Sequence, residues 1–333
     1  MKKFIAMILS LVLVLSLAAC GASAPAEAPA EAPAEEAQVY NIAIIQQLDH
    51  SSLDEIRTAI TAQLNALAAE KGITLNITDY NGQNDASMLG QISTQVVSDG
   101  ADMIIPIATL AAQYAVTATE DTDIPVVYAA ISDPEGAGLT GLPTVTGVSD
   151  ALNTPFILDM MLAADPSIQT VGLLYSNSEI NSAAPIAEAK AYLDSKGIAY
   201  LEKTGNNAGE VLTAASDLVG RVDAVFTPTD NVIMASAAAV AELFLEAGIP
   251  HYTGADSFVL SGAFATCGVN YTELGTKTAD MAFDILLGAK PGDFHIMDGG
   301  IITVNTETAA GCGIDYSVFA EMANTVTEVT TAE

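Results

Sequence analysis

From Val39 onward, short continuous apolar runs alternate with longer stretches whose apolar residues recur at helical spacing. Residues 41–45 predict a first strand and residues 52–70 a helix, which Lys71-Gly72 ends. A strand over 73–78, a helix over 86–98, a strand over 102–106, a helix over 110–119 and a strand over 124–129 follow. Short, uninterrupted apolar strands separated by helices predict a parallel sheet with both faces covered.

The order then repeats. A strand over 170–175, a helix over 182–195, the stop Lys196-Gly197 and a strand over 198–202 reproduce the opening of the first half. Ala69-Glu70-Lys71-Gly72-Ile73 parallels Asp194-Ser195-Lys196-Gly197-Ile198, and Gly100-Ala101-Asp102-Met103-Ile104 parallels Arg221-Val222-Asp223-Ala224-Val225. Ile124-Pro125-Val126 parallels Ile249-Pro250-His251, so matched residues lie about 121 to 125 positions apart. The α/β pattern therefore predicts two doubly wound, Rossmann-like lobes. Ligand groups in such sheets sit on the loops beyond the strands' carboxyl ends, so two facing rims would form a cleft.

The first residues read differently. Met1-Lys2-Lys3 followed by an apolar run over 4–19 predicts a secretory signal, too short for a spanning helix of ~20 residues. Residues 21–38 are an Ala/Pro/Glu repeat whose prolines and like charges oppose packing, which predicts a spacer. The whole chain carries 10 basic against 41 acidic side chains, a formal charge of −31, which argues against nucleic-acid partners. Cys267 and Cys312 lack metal-ligand spacing and suit either a disulfide or two buried thiols. No metal or cofactor is implied. The chain holds no G-x-S-x-G, H-E-x-x-H, P-loop or dinucleotide fingerprint after a strand, so an enzyme is not expected.

Candidate binding residues follow from the strand ends. After the first strand, His50 offers a ring nitrogen to a ligand or orders its own loop, while Ser51 and Ser52 suit a carboxylate or a helix cap. After the third strand, Thr109 is a helix cap beside accessible N–H groups. In the second half, Asn177 and Ser178 follow one strand, Asp230 another, and Asp256 a third. Each of the two acids is either an N-cap or the partner of a ligand ammonium.

Several strings together resemble a known family: Asp49-His50-Ser51-Ser52-Leu53-Asp54, Ala108-Thr109-Leu110-Ala111-Ala112-Gln113, Val145-Thr146-Gly147-Val148-Ser149-Asp150, Thr227-Pro228-Thr229-Asp230-Asn231 and Gly268-Val269-Asn270-Tyr271. They resemble ABC-transporter substrate-binding lipoproteins of the tryptophan/tyrosine type, over about residues 40–310. Leu17-Ala18-Ala19-Cys20 resembles the lipobox of such lipoproteins, in which Cys20 becomes the lipidated first residue of the mature chain. The resemblance implies a type I periplasmic-binding fold, an extracytoplasmic and lipid-anchored location, an L-amino acid, often aromatic, in the interlobe cleft, and delivery to a membrane permease driven by a separate ATPase. Carried over by position, the ligand set is His50, Ser51, Thr109, Ala111, Asn177, Ser178, Asn181, Asp230 and Asp256. Ser51 and Leu110 stand where the family usually has Pro.

The expected lobes are 39–130 with about 257–285, and 131–256 with about 286–333. Hinge crossings are expected near 130–132, near 255–257 and in the Gly-rich tail. The rival readings are a sugar or nucleoside binder on the same fold and a ligand-sensing lipoprotein. The lack of Trp and the 6% aromatic content weaken the sugar reading.

Overall fold

A computed structural model describes residues 38–332. The expected signal segment, Cys20 and all of the spacer but Gln38 lie outside the described residues. The first lobe opens with β1 (Val39–Gln46), α1 (Ser51–Lys71), β2 (Thr74–Asn81), α2 (Ala86–Ser98), β3 (Met103–Ile107), α3 (Thr109–Thr119), β4 (Val126–Ala129) and β5 (Val145–Ser149). The second contains α4 (Thr154–Ala164), β6 (Thr170–Tyr175), a single 3₁₀ turn, α5 (Ala183–Lys196), β7 (Ala199–Thr204), α6 (Ala208–Ser216) and β8 (Ala224–Thr227). It continues through α7 (Asn231–Met234), α8 (Ala237–Glu246), β9 (His251–Thr253), α9 (Asp256–Leu260) and β10 (Ala265–Gly268). The chain returns to the first lobe for α10 (Tyr271–Leu286) and β11 (His295–Ile296). It ends on the second with β12 (Ile301–Asn305), α11 (Thr306–Cys312), α12 (Phe319–Met322) and β13 (Thr325–Val329).

One sheet has the order β11-β5-β4-β3-β1-β2 and the other β13-β12-β10-β9-β8-β6-β7. All pairings are parallel except β10 with β12. The two lobes begin with the same device. Gly72 and Gly197 close α1 and α5 at φ 68° and 70°, a left-handed geometry that Gly adopts without a Cβ penalty.

Strand alternation divides the first lobe's core between two faces. Ile42, Ile44, Met103 and Ile105 pack with Ile56, Ile60 and Leu64 of α1 and with Leu274 of α10. Ala43, Ile45 and Ile104 pack with Leu89, Val96 and Ala112 of α2 and α3. In the second lobe, Val171, Leu173, Phe226, Tyr252 and Phe264 meet Ile157, Met160 and Phe319. Each of these large side chains withdrawn from water contributes about 1.5–3 kcal/mol against chain entropy.

The lobe limits differ from those expected. β5 pairs with β4, so residues 131–149 extend the first sheet, and the first crossing is at 150–153 rather than near 130–132. α9 and β10 belong to the second sheet, so the second crossing is at 269–270 rather than near 255–257. The third runs through 297–300 and includes Gly299 and Gly300, in the Gly-rich tail. Cys267 is buried and Cys312 half-buried, and both are free thiols.

Candidate functional site

The strand ends of both sheets converge on one cavity. The first lobe contributes His50, Ser52 and Leu53 after β1, Ala108 and Thr109 after β3, Ala130 and Ser132 after β4, and Asp150 after β5. The second contributes Asn181 after β6, Thr229 to Asn231 and Met234 after β8, and Ala255, Ser257 and Phe258 after β9. Tyr271, the first residue of α10, closes it beside the second crossing. The lobes are in contact here, and the space admits the centres of water molecules over only about 30 Å³.

Three helices begin at this cavity with no cap from the side chain of their own N-cap residue, α1, α3 and α9, although Leu110 N–H in the first turn of α3 donates to Gln47 Oε1 at 3.0 Å. Their first N–H groups are therefore oriented toward the cleft with the positive end of each peptide-dipole array. α7 differs, because Asp230 caps it: Oδ1 accepts from Ile233 N–H at 2.9 Å, and Oδ2 accepts from Ser176 N–H and Ser182 Oγ–H, each at 2.7 Å. All three donors lie in the second lobe, so the Asp230 carboxylate is satisfied before any ligand is considered. Burial nevertheless pushes its pKa above the usual carboxylate value.

Asp150 is placed differently. It is 7% exposed, accepts from Ser132 Oγ–H at 3.0 Å and hydrogen-bonds Tyr271. Burial raises its pKa, and no Lys or Arg is among the groups acting on it. A carboxylate buried among neutral donors is an incomplete charge pair. Two further polar atoms of the lining are buried without a partner, His50 Nδ1 and Ser257 Oγ. Burial holds the His50 ring near pKa 4, so it is neutral at pH 7.

The cavity also gathers backbone strain. Ala108 has φ 74° and ψ 162°, and Ala130 has φ 56°. Ala108 lies in a region occupied almost only by Gly, and such strain costs of order 1–3 kcal/mol. It turns the chain between β3 and α3 so that the α3 N-terminus meets the cleft. Replacing Ala108 by Gly is expected to raise unfolding free energy by about 1 kcal/mol, the relief exceeding the added chain entropy; an unmoved or lowered denaturation midpoint would contradict this.

Among the residues expected from sequence, His50, Thr109, Asn181 and Asp230 line the cavity. Asp256 lies beside it, bonded by Ser52 Oγ–H at 3.1 Å across the lobes. Ser51 is exposed on α1, and the lining serine is its neighbour Ser52. Asn177 and Ser178 are exposed, and Ala111 is buried on the core face of α3; none of these lines the cavity. Asp150, Ser132, Thr229, Phe258 and Tyr271 were not expected. Asp150 follows a strand and ends the Val145–Asp150 string, so the strand-end rule marks it once β5 is placed in the first sheet.

A second cavity of about 530 Å³ lies against all three crossings and α12, with Leu152, Val269, Gly300 and Met322 in its wall. It shares Asp150 and Tyr271 with the cleft. The smaller cavity is the candidate site, because helix N-termini and unpaired polar atoms of both lobes face it.

Known proteins place this arrangement. A tyrosine-binding protein of Clostridioides difficile is 33% identical over 275 residues, 80% of this chain and 79% of the relative. The crystal structure of an ABC domain in complex with L-Trp from Streptococcus pneumonia, 31% identical, superposes with a TM-score of 0.80 over 87% of this chain and 100% of that one. A ligand-free, open structure of a Clostridium difficile substrate binding protein with adhesive properties, also 31% identical, gives 0.67 over 88% and 99%. The fold is the type I periplasmic-binding fold, and the closer fit to the liganded structure accords with the cross-cleft contacts here. Residues 41–324 match the family model for ABC transporter substrate binding proteins, and the chain belongs to that family.

Proposed function

We propose that the protein captures an aromatic L-amino acid between its lobes and delivers it to a membrane permease driven by a separate ATPase, while lipid on Cys20 holds it at the outer face of the cell membrane. The observation that carries the substrate class is the polarity of the cavity. Asp150 offers a buried, unneutralised carboxylate at the hinge end, and the starts of α1 and α3 offer N–H groups beside Ser52 and Thr109 on the first-lobe wall. A zwitterion has the complementary charges, its ammonium meeting Asp150 and its carboxylate the helix N-termini. Leu53, Met234, Phe258 and Tyr271 supply an apolar wall for the side chain. The tyrosine-binding relative and the L-Trp complex support the aromatic preference.

Asp230 then has a positioning role: it fixes α7 and the Ser176 loop so that Thr229, Asn231 and Met234 face the ligand. With so little space between the closed lobes, the ligand must enter while they are apart. Calorimetric titration of ligand-stripped protein with each L-amino acid, then with sugars and nucleosides, tests the assignment. Micromolar or tighter binding confined to tyrosine, tryptophan or phenylalanine is expected. A sugar or nucleoside signal with no amino-acid response would overturn it.

A further inference from the structure

The closed lobes are joined by a hydrogen-bond chain through a buried carboxylate, with a buried histidine beside it. Gln47, after β1, donates from Nε2 to Glu179 Oε1 across the cleft at 3.1 Å. Gln47 is itself fixed, donating to Asn84 Oδ1 at 2.8 Å and accepting from Leu110 N–H at 3.0 Å. The other carboxylate oxygen of Glu179 accepts from Asn231 Nδ2 at 2.8 Å, and the Asn231 side chain stands beside His50. Gln47 and His50 belong to the first lobe, Glu179 and Asn231 to the second, so the Gln47–Glu179 bond crosses the cleft and Asn231 meets His50 across it. Glu179 is 7% exposed, and His50 Nδ1 is sealed without a partner.

We infer that Glu179 is the positioning residue that latches the closed state, and that Glu179 and His50 place opposing pH dependences on closure. The inference rests on reading the cleft as a solute site that opens and closes. Opening returns both groups toward water and their ordinary titration. In the closed state, burial pushes Glu179 from 4.5 up to about 7, and the neighbouring Asp230 charge acts in the same direction. Burial pushes His50 from 6.5 down to about 4, against the opposing influence of Asn231, Asp54 and Asp49.

The two linkages have opposite signs. For Glu179, the raised closed-state value makes closure weaken as pH rises between 4.5 and about 7. For His50, the lowered value makes closure weaken as pH falls from 6.5 to about 4. Over the shared range each change offsets the other. Asp230 keeps its donors Ser176, Ser182 and Ile233 within its own lobe, and Asp49 and Asp54 travel with His50. Burial raises Asp150 and Asp256 as well, and their contribution is common to wild type and to variants at Glu179 or His50. No Lys or Arg is among the groups acting on Glu179 or His50.

The test is calorimetric titration of L-tyrosine between pH 5 and 8 into wild type, Glu179→Gln and His50→Gln, each verified as folded by circular dichroism. The wild-type profile, which carries both linkages, is the reference against which each variant is read. Glu179→Gln removes the carboxylate linkage, so its affinity relative to wild type should rise more than about tenfold from pH 5 to 7; His50→Gln removes the histidine linkage, so its affinity relative to wild type should fall more than about tenfold. Three parallel profiles would overturn the inference. If none of the proteins binds L-tyrosine or any other amino acid, the substrate assignment fails separately. Small-angle scattering of the unliganded proteins then decides: opposite pH trends in radius of gyration for the two variants support the latch, and identical radii overturn it.

Discussion

Replacing Asp150 by Asn is expected to weaken L-tyrosine binding at least about a hundredfold, equivalent to ~2.7 kcal/mol, without lowering the melting temperature of the unliganded protein. The two expectations share one cause. In the unliganded protein Asp150 is a buried carboxylate whose raised pKa records a cost of holding its charge away from water. Asn retains acceptor contacts to Ser132 and Tyr271 but removes that cost, so the fold loses nothing. Since the native carboxylate titrates above its ordinary value, its penalty is greatest at high pH and disappears as pH falls below that value; the variant should show its thermal advantage at pH 8 and lose it near pH 4. Binding behaves oppositely, because the ligand ammonium would lose the charge it pairs with. Asp230→Ala supplies the contrast. It removes the acceptor of three native donors and should lower unfolding free energy by about 1–2 kcal/mol. Calorimetric titration paired with thermal denaturation reads both variants, and retained affinity in Asp150→Asn would remove the ammonium role from that residue.

The different fates of Asp150 and Asp230 also mark how far the sequence could be read. The lobes were legible because continuous apolar strands and the paired helix stops at Gly72 and Gly197 are local signals. β5 was not: Val145-Thr146-Gly147-Val148-Ser149 is short and is broken by Thr and Gly, and it follows a loop over residues 130–144. With β5 unassigned, the lobe boundary fell too early and Asp150 lost its place at a strand end. α9 and β10 were misassigned because short apolar segments do not encode the sheet that they join.

Within the correct loops, single positions decided the outcome. Ser51 and Ser52 are adjacent, but about 100° of helical rotation separates them, so Ser51 meets solvent and Ser52 the cleft. Asn177 and Ser178 sit on the exposed part of their loop, whereas Glu179 and Asn181 turn inward through bonds to Gln47 and to the Thr229 carbonyl. Those partners lie far away in the chain, and nothing in the loop itself announces them. Tyr271 enters the cavity only because α10 returns across the second crossing to pack on α1.

That return packing underlies the largest expected stability effect. Gly275→Ala should lower unfolding free energy by about 3 kcal/mol, toward the upper end for overpacking, and also weaken ligand binding. A Cβ built at Gly275 would lie 2.6 Å from the Ile56 carbonyl oxygen and 2.7 Å from Ala59 Cβ. One obstacle is the backbone of α1 and the other a side chain with no rotamer to change, so neither can yield without moving the helix. Relief requires α10 to separate from α1, loosening the contact of Leu274 with Ile56 and Ile60 in the first-lobe core. The same displacement moves Tyr271, one helical turn away, and with it the hydrogen bond to Asp150 at the hinge end of the cavity. Denaturant unfolding and calorimetric titration of one preparation read both consequences. A lowered midpoint with native affinity would show that α10 carries stability alone; loss of both places the hinge end of the site under the control of this helix contact.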